Sequence, residues 1–269
     1  MKAYLRGMGK MADAFGVDLD YSAVRGDYGK EIEKIIERKP DLVIVYSESG
    51  DKLTDSFQKI NEANIPLIVG NSMPSDEGVK YVLGACGPDD WGMGRLLART
   101  LAEECGYKGG YCILRHHPES QKYISRTYSV ISELKKIAPD MTCLDIQPSL
   151  EKEGARMVLA EWINRFGNDL AMIAASDPGE CLIGINETLH KYKREDVVRG
   201  VFGNSLISQQ FMKESRLQAM IWQSAEGEGA MALEMAIDWF NGLDIAPIRY
   251  LPMKVITHDT VDRYFPAQW

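Results

Sequence analysis

The chain has 269 residues, 45% hydrophobic and 26% charged, a length and composition suited to one large globular domain or two ordinary ones. Its formal charge of −8 argues against a nucleic-acid or anionic-membrane partner, since both select a basic surface. No apolar run reaches bilayer length, and the opening MKAYLRGMGKMADAFG is broken by charge and glycine too often for a secretory signal.

The first predicted element is a helix over KAYLRGMGKMADAFG, followed by a strand in VDLDYSAV. A doubly wound lobe normally opens on a strand, so either this lobe has a smaller sheet or its first strand is missing. The clearest unit follows: strand DLVIVYSESG, helix DKLTDSFQKINEAN and strand IPLIVGN, with a continuous apolar run at 42–45 as expected of a strand buried on both faces. A short strand near 80–83 and a helix over 89–105 come next, then strand 111–114, a helix around 126–137, strand 142–146 and a helix over 153–166. AMIAAS at 171–176 reads as another buried strand, succeeded by a helix near 180–192, strand VVRGVFGN, a short helix, strand LQAMIWQ, a long helix over 228–240 and a last strand PMKVIT. About ten strands exceed the usual single doubly wound sheet, so the class is α/β with two doubly wound parallel-sheet lobes. No Pro/Gly/Ser-rich linker separates them, which implies several short chain crossings and not one tether.

Strand carboxyl ends face the ligand crevice of open α/β sheets, so polar residues there are the candidates for binding. Asp89, in GPDDWGMG, stands where a loop turns into a helix and is also a natural helix cap; with Asp90 beside it, one residue is expected in each role. Arg126 follows the loop after strand YCIL, and its fork can bridge two neighbouring hydroxyls. Ser176 and Asp177 end AMIAAS, Asn204 ends VVRGVFG, and Gln223 ends LQAMIWQ. Trp91 and Trp222 offer flat apolar faces for a sugar ring, although core packing accounts equally well for Trp222. The cysteines (Cys86, Cys105, Cys112, Cys143, Cys181) form no C-x-x-C pair, and His116-His117 has no ligand partner at zinc spacing, so neither metal nor cofactor is expected. Nor is there a G-x-S-x-G elbow, a P-loop or an H-E-x-x-H helix, so the chain is not expected to be an enzyme.

PDLVIVYSES, NIPLIVGN, GPDDWGMGRLLARTLAEECGYKGGYCIL, ISRTYSVISEL, AMIAASDPGECLIGINETL, VRGVFGNS, LQAMIWQSAEGEGAMALEMAIDWFNG and YLPMKVITHDTVDRYF, in this order, resemble the periplasmic sugar-binding proteins of ABC transporters, ribose-binding type. Their fold is shared with lac-repressor-type effector domains. The resemblance implies a sugar or polyol held between lobes by Asp89, Arg126, Ser176, Asn204 and Gln223, with hinge closure recognised by an ABC transporter permease. Ser176 stands where the family has Asn, and Asn204 where it has Asp, which implies a ligand other than ribose. The family's crossings fall near 107–109, 223–225 and 251–252, giving lobes of residues 1–107 plus 224–251 and 108–223 plus 252–269. The resemblance also implies a monomer, periplasmic or lipid-anchored outside the cell. The alternative is the sensing domain of a regulator without its DNA-binding head, against which the C-terminal run speaks.

Overall fold

The computed structural model describes residues 1–24, 28–148, 151–176 and 178–267. The chain divides into two units, Met1–Pro88 with Ser224–Pro252, and Asp89–Gln223 with Met253–Trp269. In chain order the first unit contributes α1 (Lys2–Phe15), α2 (Tyr28–Glu37), β1 (Val43–Ser47), α3 (Thr54–Glu62), β2 (Leu67–Asn71) and β3 (Gly84–Gly87). The second follows with α4 (Asp90–Glu104), β4 (Gly110–Arg115), α5 (Gln121–Ile137), β5 (Thr142–Pro148), α6 (Lys152–Phe166), β6 (Leu170–Ala175), α7 (Glu180–Tyr192), β7 (Val198–Phe202), α8 (Leu206–Lys213) and β8 (Ala219–Gln223). The chain then returns for α9 (Ala225–Phe240) and β9 (Ile248–Tyr250), and crosses again to β10 (Met253–Ile256).

In the first unit the strands run in the order β1-β2-β3-β9, all parallel. β2 is buried along its whole length, and alternate residues serve opposite faces. Ile68 joins Tyr4 and Met8 of α1 and Leu233 and Met235 of α9, whereas Leu67 and Val69 join Ile32 of α2 and Phe57 and Ile60 of α3. The second unit repeats this arrangement in a six-stranded sheet, β10-β8-β7-β6-β4-β5, parallel except for β10. Leu114 and Ile173 face Trp162 of α6 and Leu182 and Ile185 of α7. Tyr111, Ile113 and Met172 face Leu97 and Leu101 of α4 and Val130 and Leu134 of α5. Each sheet is therefore doubly wound, as the apolar runs require.

Three expectations are corrected. Residues 17–24 form no strand: a strand needs a backbone neighbour, β1 pairs on one edge with β2, and Leu19 and Tyr21 are left in water. The strand expected at 80–83 is a 3₁₀ turn at Val79–Tyr81, and β3 starts at Gly84, in the small-residue run GACG, which carries no β-branched signal. The first crossing falls at Pro88/Asp89 and not near 107–109, because α4 packs on the second sheet. Leu97 and Leu101 lie over Gly200 of β7, where an added Cβ would be 2.8 and 2.9 Å from their side-chain carbons. The sequence reading also passed over α2 and the short edge strand β9.

α4 and α5 are bound closely. A Cβ on Gly94 would collide with the Ser129 hydroxyl and lie 2.6 Å from the Arg126 carbonyl oxygen. Further along, Arg95 and Arg99 donate from Nε to the buried Glu133 carboxylate at 2.8 and 2.6 Å. Burial acts to raise the Glu133 pKa, but the two guanidinium bonds outweigh it and hold the carboxyl below its ordinary value. Its contribution to stability is thus present above the ordinary carboxylate range and lost as pH falls through the lowered value.

Gly94→Ala tests the close approach. Alanine's helix propensity favours the variant by roughly 1 kcal/mol, but the obstructing carbonyl is main chain, so overpacking at about 1–3 kcal/mol sets the sign. The denaturant midpoint should fall. Gly9→Ala in α1, where an added Cβ meets nothing within 4 Å, should instead raise the midpoint, stabilising the protein by about 0.5–1 kcal/mol.

Candidate functional site

The second sheet places its polar chemistry at strand carboxyl ends. Ala175 of β6 is level with Val201 of β7, and Phe202 is level with Ile221 of β8. Ser176 therefore stands one step beyond β6, while Asn204 and Gln223 stand two steps beyond a paired residue on neighbouring strands. Ser176 is anchored by its backbone N–H, which donates to the Leu114 carbonyl at 3.0 Å. Its hydroxyl, 4% exposed as a residue, has no hydrogen-bond partner among the described residues. Gly203, with φ +105°, makes the left-handed turn that carries the chain from β7 to Asn204. Asn204 is 3% exposed, and its Oδ1 also has no partner among the described residues. An unsatisfied buried polar atom costs about 1–3 kcal/mol, so two on adjacent strand ends call for a physical reason. The Gln223 side chain, half-buried, makes no hydrogen bond to the described residues.

Arg126 lies in the second turn of α5, which begins at Gln121, five residues earlier than the sequence suggests. It is 7% exposed. Nε donates to Asp90 Oδ1 at 2.8 Å, Nη2 lies 3.8 Å from the Met93 sulfur, and the guanidinium carbon is 5.4 Å from the Tyr123 ring centre and 5.3 Å from that of Phe202. Phe202, the last residue of β7, thus ties Arg126 to the strand end that presents Asn204. Burial pushes the Asp90 carboxyl above the ordinary aspartate range, while Arg126 and then Lys122 pull it down without reversing the shift.

Of the two adjacent aspartates, Asp89 is the cap. Its Oδ1 accepts from the Gly92 N–H at 2.8 Å, satisfying an orphan donor of α4. It lies in the second unit, together with Arg126, Ser176, Asn204 and Gln223, whereas the sequence reading assigned it to the first. Asp90 is the aspartate that reaches Arg126, and spacing alone did not separate the two. Trp91 is 46% exposed in the first turn of α4. Trp222 is half-buried against the Tyr264 ring at 5.1 Å, on the core face of β8, so packing accounts for it. Asp177 falls outside the described residues. In the first unit, taken by itself, strand ends carry Ser47, Asn71 and Ser72, all buried, with Asn71 Nδ2 donating to the Ser47 carbonyl at 3.1 Å. The sequence reading missed these three, although the polar doublet after IPLIVG was visible. Among the described residues no group of three His, Cys, Asp or Glu is placed to hold a metal ion, and no helix is long and apolar enough to cross a membrane.

The Arg126–Asp90 pair makes a testable energetic claim. Arg126→Met strands a buried carboxylate and should cost about 3–5 kcal/mol in denaturant unfolding. Removing both charges, Arg126→Met with Asp90→Leu, should cost clearly less than the sum of the single changes. Additive losses would show that the two charges are not coupled.

Residues 1–244 match the family model described as "Periplasmic binding protein domain". Among curated proteins none matches the chain. Solved structures similar in fold include an ABC transporter periplasmic solute binding protein from Actinobacillus succinogenes 130z with bound D-allose, 21% identical, with a TM-score of 0.84, covering 97% of this chain and 94% of that one. Another is an ABC transporter solute binding protein from Bacillus halodurans C-125 with bound myo-inositol, 20% identical, with a TM-score of 0.83 and coverage of 98% and 92%. A third is an arabinose binding protein from Geobacillus stearothermophilus, 19% identical, with a TM-score of 0.82 and coverage of 98% and 94%.

Proposed function

The chain belongs to the periplasmic binding protein domain family, and from that premise we propose that it is the solute-binding component of an ABC transporter, capturing a sugar or related polyol. The observation that carries this reading is the pair of buried polar atoms without a partner among the described residues, the Ser176 hydroxyl and Asn204 Oδ1, on neighbouring strands, with Arg126 packed on Phe202 at the end of the strand that leads to Asn204. Asn204 Oδ1 accepts from a hydroxyl, the Ser176 hydroxyl can accept or donate, and the arginine fork donates to hydroxyl oxygens, so a molecule that both donates and accepts around its rim matches the set. Gln223, at the end of the adjacent strand, adds an amide with both functions.

In this reading the ligand acts by stabilising a closed state of the hinge formed by the three chain crossings, and a membrane permease recognises that state. The protein works outside the cytoplasmic membrane, periplasmic or lipid-anchored, as a monomer. No chemical step is assigned to it: the groups at the strand ends bind and orient. The regulator alternative gains no support from an observation at this site.

A thermal-unfolding panel of D-allose, myo-inositol, L-arabinose and D-tagatose tests the proposal. A ligand at 100 times its Kd adds about 2.7 kcal/mol to stability, a shift easily read; no shift with any pentose, hexose or cyclitol would overturn the reading. Ser176→Ala sharpens the test. It removes an unpartnered hydroxyl, so the ligand-free protein should be as stable as wild type or up to ~1 kcal/mol more so, while affinity falls about tenfold.

A further inference from the structure

We propose that Asp90 is the specificity-determining residue of this site, holding Arg126 through Nε and supplying the counter-charge that makes the strand-end face select neutral polyols over acidic sugars. The proposal rests on the sugar-binding reading and goes beyond it by assigning ligand charge preference to one side chain.

The geometry separates two tasks within one guanidinium. Asp90 Oδ1 accepts from Nε at 2.8 Å, and Nη2 is turned toward the Met93 sulfur at 3.8 Å. Nη1 makes no hydrogen bond to the described residues, and the aromatic rings of Tyr123 and Phe202 restrain the plane. The fork is thus fixed by one edge and by its faces, which leaves a donor with a defined direction and little rotamer entropy to lose on binding.

The charges around Arg126 come from several elements. On α4, Asp89 is occupied as the cap of its own helix and Asp90 touches the guanidinium. On α5, Lys122 is close enough to act on Asp90. Arg115, the last residue of β4, is a half-buried cation at another strand end of the same sheet, its Nε without a partner among the described residues. Glu119 and Glu180, on a neighbouring loop and at the start of α7, are exposed, where water weakens their effect. The tips themselves, Ser176, Asn204 and Gln223, are uncharged. Among the described residues Asp90 is therefore the negative charge in contact with the site's buried cation, 16% exposed on its side chain against 8% for Arg126. With its charge present, an entering carboxylate meets an arginine already neutralised and, at Asn204 Oδ1, an acceptor that it cannot satisfy. Without that charge, Arg126 stands uncompensated and attracts an anion.

The test is calorimetric titration of the full chain with the tightest neutral ligand from the panel above and with D-glucuronate and D-galacturonate, for wild type, Asp90→Asn and Arg126→Lys. Wild type should bind the neutral sugar at least about tenfold more tightly than either uronate. Asp90→Asn keeps the shape but not the charge; it should lose about tenfold for the neutral ligand and gain for the uronates, narrowing the ratio by about thirtyfold or more. Arg126→Lys keeps the charge balance and loses the fork, so both ligands should weaken and the wild-type ratio should persist. A wild-type ratio in Asp90→Asn overturns the proposal, as does a narrowed ratio in Arg126→Lys; should Asp90→Asn fail to unfold cooperatively, the Arg126→Lys ratio decides. A wild type that prefers uronates overturns this inference and leaves sugar capture standing. A wild type that binds no sugar overturns both.

Discussion

A parallel strand covered on both faces has nowhere along its length to show a polar side chain. β2 and β6 illustrate the constraint: LIVGN is wholly buried, and LAMIAA is nearly so. Polar chemistry is displaced to the end of each strand or just past it, and the strand order then decides which of those residues are neighbours. Ser176, Asn204 and Gln223 stand at adjacent strand ends because β6, β7 and β8 are neighbours in the sheet, with Asn204 and Gln223 level by register and Ser176 two residues short of them. The constraint also has a cost. A group at the end of a buried strand is itself buried, and when its partner is absent the folded protein carries the desolvation penalty alone. Ser176 and Asn204 are in that position, and a core that packs Trp162, Leu182 and Ile185 on one face and Leu97, Leu101 and Leu134 on the other tolerates them.

The same helix pair that completes this core also builds the charged part of the site. α4 lies against α5 closely enough that Gly94 admits no side chain, and the contact is reinforced by Glu133 between Arg95 and Arg99. One turn earlier on α4 comes Asp90, and one turn before Ser129 on α5 comes Arg126, so helix packing delivers the ion pair to the end of β7. A small displacement of α4 would therefore be felt first in the Asp90–Arg126 distance. Fold stability and site geometry depend here on one interface.

How much of this was legible in the sequence follows from what each signal measures. Short apolar runs locate strands, so β1, β2, β6 and β8 were readable, as were the helices between them, but the two-sided burial expected at 42–45 is not met: β1 lies at the sheet edge and its middle residues are only partly buried. Ser176, Asn204 and Gln223 could be singled out because strand ends are easy to locate once the runs are found. Asp89 and Asp90 could not be told apart, since both suit a helix start and only the path of the chain shows which carboxylate turns inward. β3 was misplaced because GACG consists of small residues, chosen for close packing against Asn71 and Met235 and not for β propensity. The segment 17–24 alternates like a strand, but alternation describes a surface that would pair well and does not supply a partner to pair with. The first crossing was misjudged for a related reason: the amphipathic pattern of α4 says that one face is buried and is silent on which sheet buries it.

These observations bear on how a binding site coexists with a stable fold. Apolar replacements at Ser176 or Asn204 would suit the isolated sheet better, and the Asp90–Arg126 pair is weak evidence for stability, because two buried charges give up about as much hydration as their attraction returns. None of these groups improves the fold by itself, and the proposed capture of a sugar or polyol accounts for them through a guest that supplies their partners. Binding then draws on interactions that the empty protein has left unmade, while the pre-set guanidinium limits what ordering still has to cost. The strain-free apolar faces of the sheet carry the fold, and the small polar rim at its edge, unfavourable by itself, carries the recognition.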